Sequence, residues 1–137
     1  MDIMGTRSLT FVTENEAMPI MCMYRQMDGY PSGHGLELAE FLAPITIVNG
    51  IGDGNAIVAN GAGCLAAQIV AHFKDGPGGI YLHRPNKHMD CWQDYEYWID
   101  VKSDGIHVRV FEGEFAEENL IFQGNVQELM TFCSKEE

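Results

Sequence analysis

The stretch from Tyr95 to Phe111 constrains the fold more than any other part of the chain. Tyr95, Tyr97, Ile99 and Val101 alternate with Glu96, Trp98 and Asp100. Ile106, Val108 and Val110 then alternate with His107 and Arg109, and Asp104-Gly105 lies between the two runs. A period of two separates the faces of a strand, and Asp-Gly between two such runs favours a tight turn. The stretch therefore predicts a β-hairpin with one buried and one polar face.

The remaining elements are read outward from it. Ser8–Thr13 and Ile20–Gln26 predict two further strands, joined by the polar connection Glu14-Asn15-Glu16-Ala17. A dense cluster of turn formers, Asp28-Gly29-Tyr30-Pro31-Ser32-Gly33, follows. Ser32 is placed to cap a short helix carrying Leu38, Phe41 and Leu42, which Pro44 limits. Ile45–Val48 predicts a short strand and 49–63 an ordered Gly- and Asn-rich loop. Asn60 is a candidate cap for a helix over Gly63–Phe73, apolar nearly all round and so expected at the centre of the core. Asp75-Gly76-Pro77-Gly78-Gly79 ends it, Ile80–Leu82 predicts a strand, and His83–Gln93 reads as a polar loop. A last helix starts at Asn125, with Glu128 completing a capping box and Val126, Leu129, Met130 and Cys133 as its apolar stripe.

Hairpin-joined strands with helices between the groups predict an α+β fold: a mainly antiparallel sheet of about five strands with three helices, in a single domain over residues 1–137. A doubly wound α/β fold fits less well, because strict alternation of strand and helix is missing. Met1–Met4 reads as a dispensable leader, since Met4 could serve equally as a start. No signal peptide and no bilayer-length apolar run is evident. The four cysteines, Cys22, Cys64, Cys91 and Cys133, form no C-x-x-C pair; Cys22 and Cys64 sit in apolar segments, as small hydrophobes. Reduced thiols in a cytoplasm are the economical expectation.

Charge narrows the partners. Twenty acidic residues against eight basic ones give a net charge of −12. That excludes a domain-wide basic footprint for direct nucleic-acid binding, and anionic membranes repel such a surface.

Three segments resemble a known family when taken together: Gly5-Thr6-Arg7-Ser8-Leu9-Thr10, then Tyr24-Arg25-Gln26-Met27-Asp28-Gly29-Tyr30-Pro31-Ser32-Gly33-His34-Gly35, then Asn60 to Gln68. They are similar to a family of small proteins found in bacteriophages and in bacterial genomes, over roughly residues 4–110. The resemblance implies a viral or prophage origin and a place in the infected cell's cytoplasm. It carries no catalytic assignment.

Several constellations could carry chemistry. Around the glycine corner lie Tyr24, Arg25, Gln26, Asp28, Tyr30 and His34, residues that could grip an anion and stack on a ring, or could simply build a strand-to-helix corner. Asn60, Gly61 and Gly63 at a helix start offer backbone N–H groups to an anion, without the spacing of a phosphate loop; close packing is the plainer reading. Arginines are few: Arg7, Arg25, Arg84 and Arg109. Arg7 and Arg25 bracket the open end of one hairpin, so their guanidinium groups are expected to converge. His83, His88, Asp90 and Cys91 fall within nine residues, but in no standard zinc spacing and beside Arg84 and Lys87. Cys64 or Cys91 could pair with His34 or His83 as a nucleophile, though no spacing favours one pair. Glu112, Glu114, Glu117 and Glu118 read as a solvated acidic face. No cofactor motif is present.

Three functions follow as expectations. The first is a binder of a small anionic, nucleotide-like molecule, such as a sponge for a host defence signal, using Arg7, Tyr24, Arg25, Tyr30, Asn60 and the backbone to Gly63. The second is an acidic protein-interaction module that blocks a host protein. The third is a small hydrolase. Trp92 and Trp98, read as exposed, make homo-oligomerisation the default.

Overall fold

A computed structural model of the chain describes residues 5–50 and 57–135. The leader reading of Met1–Met4 and part of the expected 49–63 loop lie outside the described residues. The elements are β1 (Ser8–Glu14), β2 (Met21–Arg25), α1 (Leu36–Leu42), β3 (Thr46–Val48), β4 (Val58–Asn60), α2 (Gly61–Phe73), β5 (Ile80–His83), β6 (Tyr95–Lys102), β7 (Gly105–Glu112), β8 (Leu120–Asn125) and α3 (Val126–Lys135).

The α+β class holds, with a larger and more mixed sheet than expected. Six strands run in the order β5-β2-β1-β6-β7-β8, and β3 and β4 form a separate parallel pair. Four of the five pairings in the main sheet are antiparallel; β1 and β6 run parallel, with Ser8 opposite Tyr95 and Glu14 opposite Val101. The Tyr95–Phe111 hairpin forms as its pattern dictates, with Lys102 opposite Gly105 across Ser103-Asp104.

The helices cover one face of the sheet. There Val12, Met23, Tyr97, Ile99 and Val108 pack with Leu38, Leu65, Ile69 and Leu129 in the main core. The opposite face was expected to be polar, and it is not. Leu9, Phe11, Cys22, Trp98 and Phe111 form a second buried cluster, roofed by Met89 and Cys91 from the loop after β5 and by Phe115 from the loop after β7. Trp98 is 2% exposed and stacks on Phe11 at 4.2 Å, so of the two tryptophans only Trp92, 80% exposed, can serve a surface contact. Glu96 and Asp100, the expected solvent-side residues of β6, are buried with it.

The glycine corner has a packing explanation. Gly29 receives the Tyr97 hydroxyl on its carbonyl at 2.6 Å, and its N–H donates to Thr6 O. A Cβ there would lie 2.8–2.9 Å from Ser8 and from the Arg7 backbone. At Gly35 it would lie 2.7 Å from Cys133 Sγ. Between them Pro31–Gly35 makes one π-helical turn that feeds α1, and Ser32 makes no capping bond. Tyr30, at the outside of the corner, is 37% exposed.

Two other helix expectations need correction. α2 starts at Gly61, so Asn60 is its N-cap residue as expected, but Asn60 Oδ1 accepts from Gly50 N–H and makes no capping bond to the helix. Only one stripe of α2 is buried (Ala62, Leu65, Ala66, Ile69), which leaves Cys64 exposed. The α3 capping box is present as expected: Asn125 Oδ1 accepts from Glu128 N–H, and Glu128 Oε1 accepts from Asn125 N–H, both at 2.8 Å. Asn125→Ala should lower stability by about 1 kcal/mol, read as a shift in urea midpoint; an unchanged midpoint would show that α3 is held by its apolar stripe alone.

Candidate functional site

β2 delivers Arg25 to the helix face of the sheet, where the corner has set His34. Arg25 Nε donates to Met27 O at 2.7 Å, and Nη1 donates to Glu37 Oε2 at 2.7 Å and to His34 Nδ1 at 3.1 Å. Asp28 Oδ2 lies 3.9 Å from Nη2, and the guanidinium sits 5.8 Å from the Phe73 ring. Because arginine only donates, Nδ1 of His34 must accept. The proton is therefore on Nε2, which donates to Thr10 Oγ1 at 2.7 Å. His34 is fully buried against Tyr97 and Phe73. Burial first, and the Arg25 charge second, pull its pKa down to about 3. With both nitrogens engaged and no access to solvent, His34 is a neutral structural link and not a general base.

The expected meeting of Arg7 and Arg25 fails for a simple reason. Arg25 pairs with Ser8, so Arg7, one residue earlier, belongs to the opposite face. Its charge acts instead on Cys91, under the roof of the second cluster, while its backbone bonds Asp94. Tyr24 is also on that far face, where its ring meets Tyr81 and His83 at 5.9 and 5.7 Å. Arg84 is exposed on the loop after β5. Gly61 borders a separate hollow of about 580 Å³ beside β3 and the β6–β7 turn, and a Cβ on Gly63 would meet open space. The candidates thus divide among three places. Arg25, Gln26, Asp28, Tyr30 and His34 stay together, and Tyr30 Oη approaches Asp28 Oδ1 at 3.4 Å.

The other chemistries find little support. Among the described residues no three His, Cys, Asp or Glu side chains are gathered to hold a metal ion. Cys64 is exposed on α2, bonded to Gln68, and His34 is buried beneath the corner. Burial raises the Cys91 thiol above its ordinary value, which disfavours the thiolate. Glu112, Glu114, Glu117 and Glu118 are exposed.

Of the residues kept together, Arg25, Gln26 and Asp28 open onto a cleft between α1 and the end of α2, while His34 lies closed off beneath them and Tyr30 borders another hollow with Gln93, Asp94 and Glu112. Two adjoining hollows of about 490 Å³ each share Glu37 and His72. One is walled by Arg25, Asp28, Phe73, Asp75 and the glycines 78 and 79; the other by Glu40, Phe41, Pro44, Ile57 and Gln68. His72 stacks on Phe41 at 4.2 Å and meets Phe73 edge-on at 4.9 Å. Asp28, Glu37, Glu40 and Asp75 thus stand around a single guanidinium, three of whose five N–H groups bond Met27, Glu37 and His34, while Lys74 turns its ammonium onto the Gly78 and Ile80 carbonyls. Sequence reasoning missed Glu37, Glu40, His72 and Asp75. Glu37 was the accessible one, three residues beyond His34 at the start of a helix.

No family model, curated protein or solved structure matches the chain.

Proposed function

We propose that the chain is a protein-interaction module whose α1–α2 cleft receives a basic segment of a partner protein. The observation that carries this reading is the sign of the cleft: four carboxylates and the rings of Phe41, His72 and Phe73, against one arginine paired with Glu37 and one lysine bonded to backbone carbonyls. Lysine and arginine side chains lay their stems along aromatic surface and aim their heads at carboxylates. The net charge of −12 would steer such a partner from a distance. Capture of a small nucleotide-like anion at the same corner would have only the Nη2 end of Arg25 to use, with Asp28 3.9 Å from it and Glu37 paired to Nη1 at 2.7 Å. On the resemblance to phage proteins, the partner would be a basic protein of the host cytoplasm.

Titration of a fluorescent oligo-arginine peptide into the protein tests this. Binding should be measurable at low ionic strength and weaken steeply with added salt. Reversing Glu40 and Asp75 to lysine should weaken it at least roughly tenfold, a loss of about 1.4 kcal/mol. The same reversal at Glu117 and Glu118, on the far turn, should change it less than about twofold. Equal losses from both pairs would mean that the peptide feels only the overall charge, and the cleft assignment would fall.

A further inference from the structure

A second, independent feature lies on the opposite face of the sheet. Glu96 projects from β6 into the cluster of Leu9, Phe11, Cys22, Trp98 and Phe111 and is fully buried. Its Oε2 accepts from Gln93 Nε2 at 2.7 Å and its Oε1 from Trp98 Nε1 at 2.9 Å, while the Phe115 backbone N–H supplies a further bond. All three donors are neutral. Among the described residues no ion pair reaches this carboxyl. The arginine across the ring, Arg109, is committed to Asp100 and faces Trp98 and Phe115 from 5.4 Å. The three donors favour the ionised carboxylate, but burial with no cation beside it is the larger effect, so the site favours the protonated acid.

The same carboxyl ties down both segments that roof this face. Gln93 organises the loop after β5: its Nε2 also bonds Met89 O, and its Oε1 accepts from Cys91 N–H. Phe115 leads the other roof, lying 4.4 Å from the Trp98 ring and 4.9 Å from Phe111. Trp92, beside Gln93, holds a left-handed backbone with φ 57°, an arrangement that an opened loop would relax.

We propose that Glu96 is a proton-operated latch: protonated, it holds the 84–94 and 113–119 segments closed over the sheet, and ionised, it releases them and uncovers an apolar face. Burial sets its pKa up at about 7, with Glu114 adding to the rise and the Trp98, Gln93 and Phe115 donors opposing it. Other titratable groups border it: His83 ends β5, and His88 lies in the roof loop beside Lys87, Asp90, Glu114 and Phe115. Cys22 on β2 is pushed up to about 12, and Cys91 in the roof is raised too, with Arg7 opposing and Asp90 adding. Water entering under the roof would solvate the carboxylate and offset the cost of its charge.

Amide hydrogen exchange on the intact protein, corrected for intrinsic rates, reads the latch directly. The opening equilibrium of the 84–94 and 113–119 amides should rise roughly 30-fold between pH 5.5 and 8.5 if the closed and open states bind the proton at about 7 and 4.5. The β1 and β7 amides should not follow. In Glu96→Gln the rise should vanish. A second reading needs no variant: the Glu96 side-chain carbon, followed by NMR, should titrate near pH 7. A flat exchange profile, the same rise in Glu96→Gln, or a Glu96 midpoint near 4.5 would each overturn the proposal.

Discussion

Arg109→Met is expected to destabilise the protein by about 3–5 kcal/mol, as is usual when one partner of a buried ion pair is removed. Asp100 is 1% exposed on β6. It accepts from Arg109 Nε at 2.7 Å and Nη2 at 3.0 Å, and from Thr13 Oγ1 at 2.7 Å. Methionine would keep much of the apolar contact with Trp98 and Phe115 while stranding the carboxylate in a place where water cannot reach it. Glu16, 3.6 Å from Nη1 and already bonded to Lys102, cannot substitute, since it too is an anion. Urea denaturation should show the loss in midpoint with little change in slope. Replacing Asp100 by leucine in the same protein should recover part of it, because the stranded charge goes. A loss below about 1 kcal/mol would mean that the outer face of β6 is wetter than its packing indicates.

The second large effect is a pH profile with two opposing arms. His34 stays unprotonated in the folded protein down to about pH 3, whereas an unfolded histidine binds a proton below 6.5. Its contribution is therefore complete above 6.5 and is lost as pH falls from there toward 3. Glu96 acts in the opposite sense. The folded protein keeps its proton up to about pH 7, the unfolded chain releases it near 4.5, and stability is lost as pH rises between these values. Between 4.5 and 6.5 the two arms cancel. Wild-type stability should climb from pH 3 to about 4.5, stay level to about 6.5 and dip slightly toward 7. Glu96→Gln removes one arm, so its stability should go on climbing to about 6.5. The gap between the two proteins should widen by roughly 3 kcal/mol between pH 4 and pH 8. Lowered carboxylates such as Glu16 and Asp104 steepen the acid limb of both proteins alike and leave that gap untouched. Parallel profiles would show that Glu96 ionises without cost.

Local signals in the sequence were reliable where the structure is local. The Tyr95–Phe111 alternation and the Asn125–Glu128 box are self-contained, and both form. The parallel pairing of β1 with β6 joins segments some 87 residues apart, and no residue pattern near either strand encodes it. β8 was missed because Leu120–Asn125 is a half-exposed edge strand with two partly buried apolar residues, Ile121 and Phe122, and no clean alternation. Glu96 and Asp100 were read as solvent-facing by the same period-two rule that placed Tyr97 and Ile99 correctly. The rule fixes which residues share a face; it cannot say that distant loops will roof the other one. The candidate site was legible to a similar degree. The glycine corner and its cluster from Arg25 to His34 are real neighbours. The convergence of Arg7 with Arg25 was not available, because a shift of one residue along β1 turns the side chain to the other face. The carboxylates that give the cleft its sign come from α1 and from the turn after α2, and only the tertiary fold brings them to Arg25.

Backbone amide chemical-shift mapping of an unlabelled oligo-arginine peptide on the isotope-labelled protein addresses the cleft most directly. Perturbations concentrated at residues 37–41 and 72–79, saturating with a single binding constant, are the predicted result. Shifts spread evenly along the acidic 112–118 turn, or centred on Tyr24 and Tyr81 across the sheet, would contradict it.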